Sequence, residues 1–399
     1  MPARTGADRA EIRRHNLGAV LEHLHRAGDA SRAELTSLLG LNRSTTAALV
    51  ADLAGRGLVE ETDPARPAAR TAGRPSPVVR VRPARAVALA VEVEVDNVSV
   101  ALVGMGGHVL ARSQARYPHD APDPEQAVSS AVALAGPLLG GLGSSSMLAG
   151  VGVGVAGVVR SDGWVHHAPN LGWREVPLGR MVATALGFDV PVSVGNDANL
   201  GAIAEHARGA GREILDLAYI SSEVGVGVGV LAGGRPLTGA DGYFGEFGHL
   251  PLFPRGRQCR CGALGCWETE VGTHALLNRA GRAADEGKAG VRAVLTAAAA
   301  GERPALAAIR HVAERVGLGL AAVVNALNPR LIVLGGFFAQ LWPLANRLIT
   351  AGMHKHALAA AIERVAIEPA LLGEDATLLG AAEVVLAEVV ADPTLVPAC

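Results

Sequence analysis

Thiols, aromatic rings and long apolar runs are scarce in this chain, and lysine is missing from its first 86 residues. No apolar run reaches the ~18 residues that a membrane-spanning helix needs. The first residues, MPARTGADRAEIRR, are charged and lack the apolar stretch of a signal peptide. Cytoplasm is therefore the expected location, with no membrane partner. In that compartment thiols stay reduced, so the 4 cysteines are not expected to pair as disulfides. Hydrophobic residues at 49% and charged residues at 19% exclude a disordered chain. At 399 residues there is room for two or three domains, each with its own core.

What charge there is lies unevenly. Residues 1–86 hold 14 Arg and 9 acids, a balance of +5, while the remaining 313 residues balance at −7. A basic head on an acidic body points to a nucleic-acid contact at one end, though +5 is also compatible with a solvated surface. Within the head, Leu17, Val20, Leu21 and Leu24 recur at helical spacing, and Gly28 stops that helix. Ser31 and Glu34 have the spacing of a capping box for a second helix. A turn at Gly40-Leu41-Asn42 follows, with Asn42 as N-cap of a third helix that buries Leu49, Val50 and Leu53.

The front of that third helix shows Arg43, Ser44, Thr45 and Thr46, the chemistry of a recognition helix in a major groove. LVEE, a basic loop with Arg66, Arg70 and Arg74, and then VVRV read as a wing whose arginines touch phosphates or a narrow minor groove. A small helical bundle for protein contacts is the plainer alternative. The expected divisions are a winged helix-turn-helix at 1–62 and a basic loop and linker at 63–86. A smaller α/β lobe follows at 87–200, joined by 376–399, and a larger lobe at 201–375.

From Val87 onward, β-type apolar runs alternate with helical patterns, which argues for an α/β protein with mixed sheets. Four motifs then occur in order: PNLGW at Pro169–Trp173, GNDAN at Gly195–Asn199, GEFGH at Gly245–His249 and CRCGALGCWE at Cys259–Glu268. Together they resemble the signature of the ROK family, which holds sugar kinases and sugar-responsive repressors. The resemblance covers 87–399, and the winged head extends it to the repressor branch. It implies a two-lobed actin-like ATPase (ribonuclease H-like) sugar-kinase fold behind the head.

His249, Cys259, Cys261 and Cys266 offer one imidazole and three thiolates, a standard set for a structural zinc site. Incidental reduced thiols, or a strained disulfide with an odd partner, are the alternatives. With the family signature intact, one structural Zn2+ per chain is expected. The resemblance further implies that Asn170, Asn196, Asp197, Glu246, His249 and Glu268 bind a sugar. There His249 gives one ring nitrogen to zinc, and Asp197 corresponds to the kinases' general base. Asn196 and Asp197 could instead simply cap the helix that follows.

The two phosphate segments depart from the family pattern. D-x-G-x-T is replaced by Glu92-Val93-Glu94-Val95-Asp96, and G-T-G-x-G by Glu223-Val224-Gly225-Val226-Gly227. On a strand Glu92, Glu94 and Asp96 share one face, and no Lys or Arg in these segments offsets them. A nucleotide polyphosphate would be repelled.

The expected protein is thus a non-catalytic, sugar-responsive DNA-binding repressor of carbohydrate metabolism. It would bind a small sugar effector and sit on an inverted-repeat operator as a homodimer or dimer of dimers. An active sugar kinase carrying a DNA-binding head is one alternative, and a carbohydrate-binding protein whose head contacts only protein is another. Xylose, glucose, N-acetylglucosamine and their phosphates all stay open as ligands.

Overall fold

The computed structural model describes residues 9–62, 76–117 and 122–399. Its head begins with a helix at Arg9–Ala27, which ends where Gly28 takes a positive φ of 91°. Leu17, Val20, Leu21 and Leu24 form its buried stripe. The second helix, Arg32–Leu38, carries the complete capping box: Ser31 Oγ accepts from the Glu34 amide, and Glu34 accepts from the Ser31 amide. Asn42 caps the third helix, Arg43–Gly55, by accepting from the Thr45 amide at 2.8 Å.

A three-stranded antiparallel sheet closes the head, with Val78–Val81 between Ala30–Ser31 and Val59–Thr62. Its central strand is the VVRV that the sequence reads as the second side of the wing, at the end of the 63–86 segment.

Two five-stranded sheets build the body. In the first, Val192–Asn196, Met147–Val155 and Ala86–Val93 run parallel, and Asn97–Gly104 and His108–Arg116 extend it as an antiparallel meander. The second has the order Arg235–Pro236, Val226–Ala232, Leu217–Ser222, Leu331–Gly335, Ala366–Pro369. Helices Arg303–Leu327 and Gly336–His356 share its large apolar core. A small third sheet (Val158–Val159, Val165–Ala168, Trp173–Val176) presents the turn that holds Asn170.

Two helices lie at the centre. Asp197–Arg208 packs on the second sheet and against Ala376–Ala391, which in turn packs on the first sheet. Glycines allow the close approach: a Cβ at Gly380 would overlap the Leu200 carbonyl, and one at Gly152 the Ala381 carbonyl. The same C-terminal helix carries the head, because Leu17, Leu21 and Leu24 share one continuous core with Leu378, Leu386 and Val389. The segment after it stitches the seam. Arg56 donates to the Val396 carbonyl at 2.8 Å, and the Cys399 amide donates to the Gly55 carbonyl at 2.9 Å. Head and first sheet are thus packed as one body rather than tethered.

Candidate functional site

The recognition helix splits its four front residues. Arg43 and Ser44 are exposed and Thr45 is half-buried. Thr46 is fully buried, with its hydroxyl between the Thr36 hydroxyl and the Asn42 carbonyl. The expectation that Thr46 meets DNA is therefore corrected. It lies three, four and seven positions before Leu49, Val50 and Leu53, on the face that packs the head's core. Arg74, with Arg66 and Arg70, lies outside the described residues.

In the body, a short hairpin shapes the cysteine loop. The Cys259 amide donates to the Ala263 carbonyl at 2.8 Å, and the Gly265 amide to Arg257 at 2.9 Å. Gly262 and Gly265 supply its positive-φ positions. Trp267, fully buried, anchors the far end through Nε1 on the Arg315 carbonyl at 3.0 Å. His249 enters from the 3₁₀ turn Phe247–His249. The imidazole and the three sulfurs each offer a ligand atom within 4.8 Å of the others, an arrangement that could hold a metal ion. Cys261 and Cys266 sulfurs stand 3.7 Å apart, well beyond the about 2.05 Å of a disulfide.

Around this cluster the polar groups converge. His249 Nδ1 faces Cys259 Sγ at 3.7 Å and Glu268 Oε1 at 3.5 Å, while Nε2 faces Glu246 Oε2 at 3.6 Å. One ring nitrogen thus looks to the thiols and the other to the open cleft, where the Glu246 side chain is 41% exposed. Glu268 is held by Cys259 Sγ at 2.8 Å and by the Val226 amide at 3.4 Å. Asn170 is reached from this side by Arg260, whose guanidinium donates to Oδ1 at 3.1 Å.

Asn196 and Asp197 are more occupied than their motif suggests. Asn196 Oδ1 accepts from the Asn199 amide as an N-cap, and its Nδ2 donates to the Gly157 carbonyl at 3.0 Å. Each of its polar atoms therefore has one backbone partner and one remaining position for a ligand. Asp197 Oδ1 accepts from the Ala198 amide at 2.8 Å, at the first residue of the central helix. Burial pushes its carboxyl up to about 7 against that bond, with Glu223, Glu246 and Glu94 adding to the rise.

The other half of the cleft corrects the sequence reading in two ways. The first strand ends at Val93, so its alternation does not carry on to Asp96, which accepts instead from the Asn97 side chain. A cation is also present, supplied from far along the chain. Lys288, in the first turn of the helix Gly287–Ala299, lies 3.0 Å from Glu94 Oε1 and 3.5 Å from Glu223 Oε2. Glu94 belongs to the first-sheet side and Glu223 to the second, so this lysine bridges the cleft. Burial, then Glu94, raise the Glu92 carboxyl to about 8.

Arg260 and Lys288 are the site residues that motif reading missed. Arg260 lay between two recognised cysteines, whereas nothing near Lys288 in sequence marks it.

The ROK family model matches residues 88–388, which covers the whole two-lobed body. The chain belongs to the ROK family. A MarR family model matches residues 18–69 of the head. The xylose repressor of Bacillus spizizenii is 26% identical over 382 residues, spanning 95% of this chain and 97% of that protein. A glucokinase of Halalkalibacterium halodurans is 34% identical over 252 residues, 59% of this chain and 76% of that one. The crystal structure of a ROK family transcriptional regulator, described as a homolog of the E. coli MLC protein, matches with a TM-score of 0.76 at 24% identity. It covers 96% of this chain and 98% of that one, and so shares the whole architecture. ROK relatives of this chain thus include a repressor that aligns with the head and body together and a kinase that aligns with part of the chain. No helix among the described residues is long and apolar enough to cross a membrane.

Proposed function

We propose that this chain is a sugar-responsive DNA-binding repressor of carbohydrate-metabolism genes whose kinase-like body binds a sugar without phosphorylating it. The state of the phosphate half carries this reading. There Glu94 and Glu223 close on Lys288 where a polyphosphate would need glycines, hydroxyls and free cations. The polar sugar half, by contrast, keeps its carboxylates, imidazole and amide facing the cleft.

His249, Cys259, Cys261 and Cys266 hold one structural Zn2+. Ligands at about 2.3 Å around a tetrahedral zinc place their sulfurs about 3.8 Å apart, and the 3.7 Å between Cys261 and Cys266 fits that edge. The bound ion would fix His249, so that Nε2 joins Glu246, Glu268, Asn170 and Asp197 around the sugar's hydroxyls. Asn196 contributes its free N–H and lone pair.

Arg43, Ser44 and Thr45 read the major groove of an inverted repeat as part of a homodimer. Because the head is packed on the first-sheet side, closure of the two lobes on a sugar would swing it relative to the second. We infer that this movement lowers operator affinity. A thermal-shift panel of free and phosphorylated xylose, glucose and N-acetylglucosamine identifies the effector, and an operator titration with and without it tests the reading. Arg43→Ala should weaken specific binding by about 1–3 kcal/mol if it reads a base.

The position of Asp197 favours a kinase as the second reading. Sugar-dependent ADP formation that disappears in Asp197→Asn would establish it.

A further inference from the structure

On the side of the molecule away from the cleft, four segments meet in a buried junction. Arg208, the last residue of the central helix, directs its guanidinium into it. Nε donates to Glu383 Oε1 at 2.6 Å, and Nη1 donates to the carbonyls of Gly106 at 2.7 Å and His25 at 3.1 Å. Nη2 lies 2.6 Å from His25 Nε2. The His25 ring is engaged on both sides, with Nδ1 accepting from the Gly106 amide at 2.9 Å and Nε2 beside Glu383 Oε2 at 3.0 Å.

His25 belongs to the first helix of the head, Gly106 to a turn of the first sheet, and Glu383 to the C-terminal helix. His25 is 3% exposed and Glu383 8%, and the Arg208 side chain 13%, so the cluster is largely withdrawn from water and each bond matters more than it would on the surface. Gly107 makes the space: it has a φ of 71°, and a Cβ there would overlap the Arg208 guanidinium.

The other end of the same helix is Asp197, in the cleft. Twelve residues of helix span about 18 Å. The rod is gripped along its length: Gly201 packs under the Tyr219 ring on the second sheet, and Leu200 against Gly380 of the C-terminal helix. Close-packed helices of this kind shift as rigid bodies between discrete arrangements rather than bending. A displacement of Asp197 therefore reaches Arg208, and Arg208 is bonded to the head itself through the His25 carbonyl, with the His25 ring in contact beside it.

We propose that Arg208 is the positioning residue that couples the sugar cleft to the DNA-binding head, with His25 as its contact on the head and Glu383 as its buried anchor. This deepens the repressor reading and rests on it. A stitch that only held the head in place would affect stability and operator binding alike. A coupling residue affects the sugar's influence on operator binding while leaving each binding event intact.

The test uses the full chain and Arg208→Lys, which keeps the charge beside Glu383 but loses the planar fork that serves three partners at once. D-xylose and D-glucose are the probes, with a duplex selected by the wild-type protein from a random pool. In the variant, sugar affinity should stay within about 2-fold of wild type and sugar-free operator affinity within about 3-fold. The sugar's effect on the operator should fall from a wild-type value in the 5–150-fold range of allosteric coupling to under about 2-fold. A full sugar response in Arg208→Lys overturns the proposal while sparing the repressor reading. A wild type that binds a probe sugar with no change in operator affinity overturns both.

Should the variant fail to fold, amide exchange on the wild type decides. Sugar should alter exchange at residues 20–27 and 104–107, and a change confined to the cleft overturns the coupling.

Discussion

The two halves of the cleft have parted company. On the sugar side, polar groups remain turned outward: Glu246 is exposed, one nitrogen of His249 faces it, and Glu268 is held from behind by a backbone amide. On the phosphate side, the polar groups have turned on one another, with Lys288 between Glu94 and Glu223. The first half has unsatisfied capacity, which is what a ligand needs. In the second, one lysine is shared by two carboxylates, and a nucleotide entering it would have to displace that bridge and face the negative charge left over. On the proposed reading, a family chassis loses one ligand and keeps the other by changes at a few strand ends, without disturbing either sheet.

The largest expected effect lies in the cysteine loop. Removing the metal, or replacing Cys266 with Ser, should abolish sugar binding, because His249, Glu268 and Arg260 all depend on that loop for their positions. Structural zinc sites of this class are worth on the order of 10 kcal/mol to the segment they fold. Elemental analysis should give about one zinc per chain, and calorimetry on chelator-treated protein checks the binding. Metal-free protein that binds sugar as before would show that the sugar half is preorganised without the clasp.

Next in size comes Glu246→Ala, which leaves sugar hydroxyls without an acceptor. The loss should be about 1–3 kcal/mol, or roughly 5–150-fold in affinity. Glu223→Ala, across the cleft, should leave sugar affinity unchanged. Equal losses from the two variants would erase the distinction between the halves.

Local signals made much of this legible from sequence. The capping box at Ser31 and the N-cap at Asn42 depend on neighbours within a few residues, so sequence spacing alone reveals them. The GEFGH and CRCGALGCWE motifs are similarly short-range, so the donor set is legible in the sequence. Thr46 is legible too: its spacing to Leu49, Val50 and Leu53 marks a core face, despite the polarity of its hydroxyl. Lys288 and Arg208 were not legible at all. Lys288 reaches Glu94 across 194 positions, and Arg208 reaches His25 across 183. Partnerships of that kind exist only once the sheets are stacked.

A pH experiment sharpens the contrast further. Burial raises Glu92 to about 8 and Asp197 to about 7, from ordinary values of 4.5 and 3.8. The folded chain therefore holds protons that the unfolded chain releases. Stability contributed by these groups is greatest at low pH, falls as pH rises through the ordinary carboxylate range, and levels off once the folded groups ionise near 7 and 8. Both side chains are partly accessible, so the change should be on the order of 1–2 kcal/mol rather than the full shift. Denaturant midpoints at pH 5.5 and 8.5 should differ accordingly, and Glu92→Gln should flatten the difference. A midpoint that rises with pH would mean that these acids are already paired or solvated.

The smallest effect is expected at Lys288. Its ammonium and the Glu223 side chain are each about two-fifths exposed, 42% and 43%, so the bridge belongs with accessible ion pairs worth about 0.2–1 kcal/mol apiece. Lys288→Met should lower the melting temperature only slightly and leave sugar affinity intact. Its informative readout is nucleotide. Wild-type protein should show no thermal shift with ATP, with or without sugar, because the bridge and the two acids oppose a polyphosphate. Lys288→Met should show none either, since removing the cation exposes Glu94 and Glu223 and deepens the repulsion. The double variant Glu94→Gly, Glu223→Gly separates the two causes: it restores one glycine in each of the family's phosphate segments and leaves Lys288 without these two carboxylates. If that variant gains an ATP-dependent shift, the acids alone kept the nucleotide out, and the cleft retains the rest of a phosphate site. An ATP shift already present in the wild type would instead mean that the phosphate half is open, and the contrast between the halves would collapse.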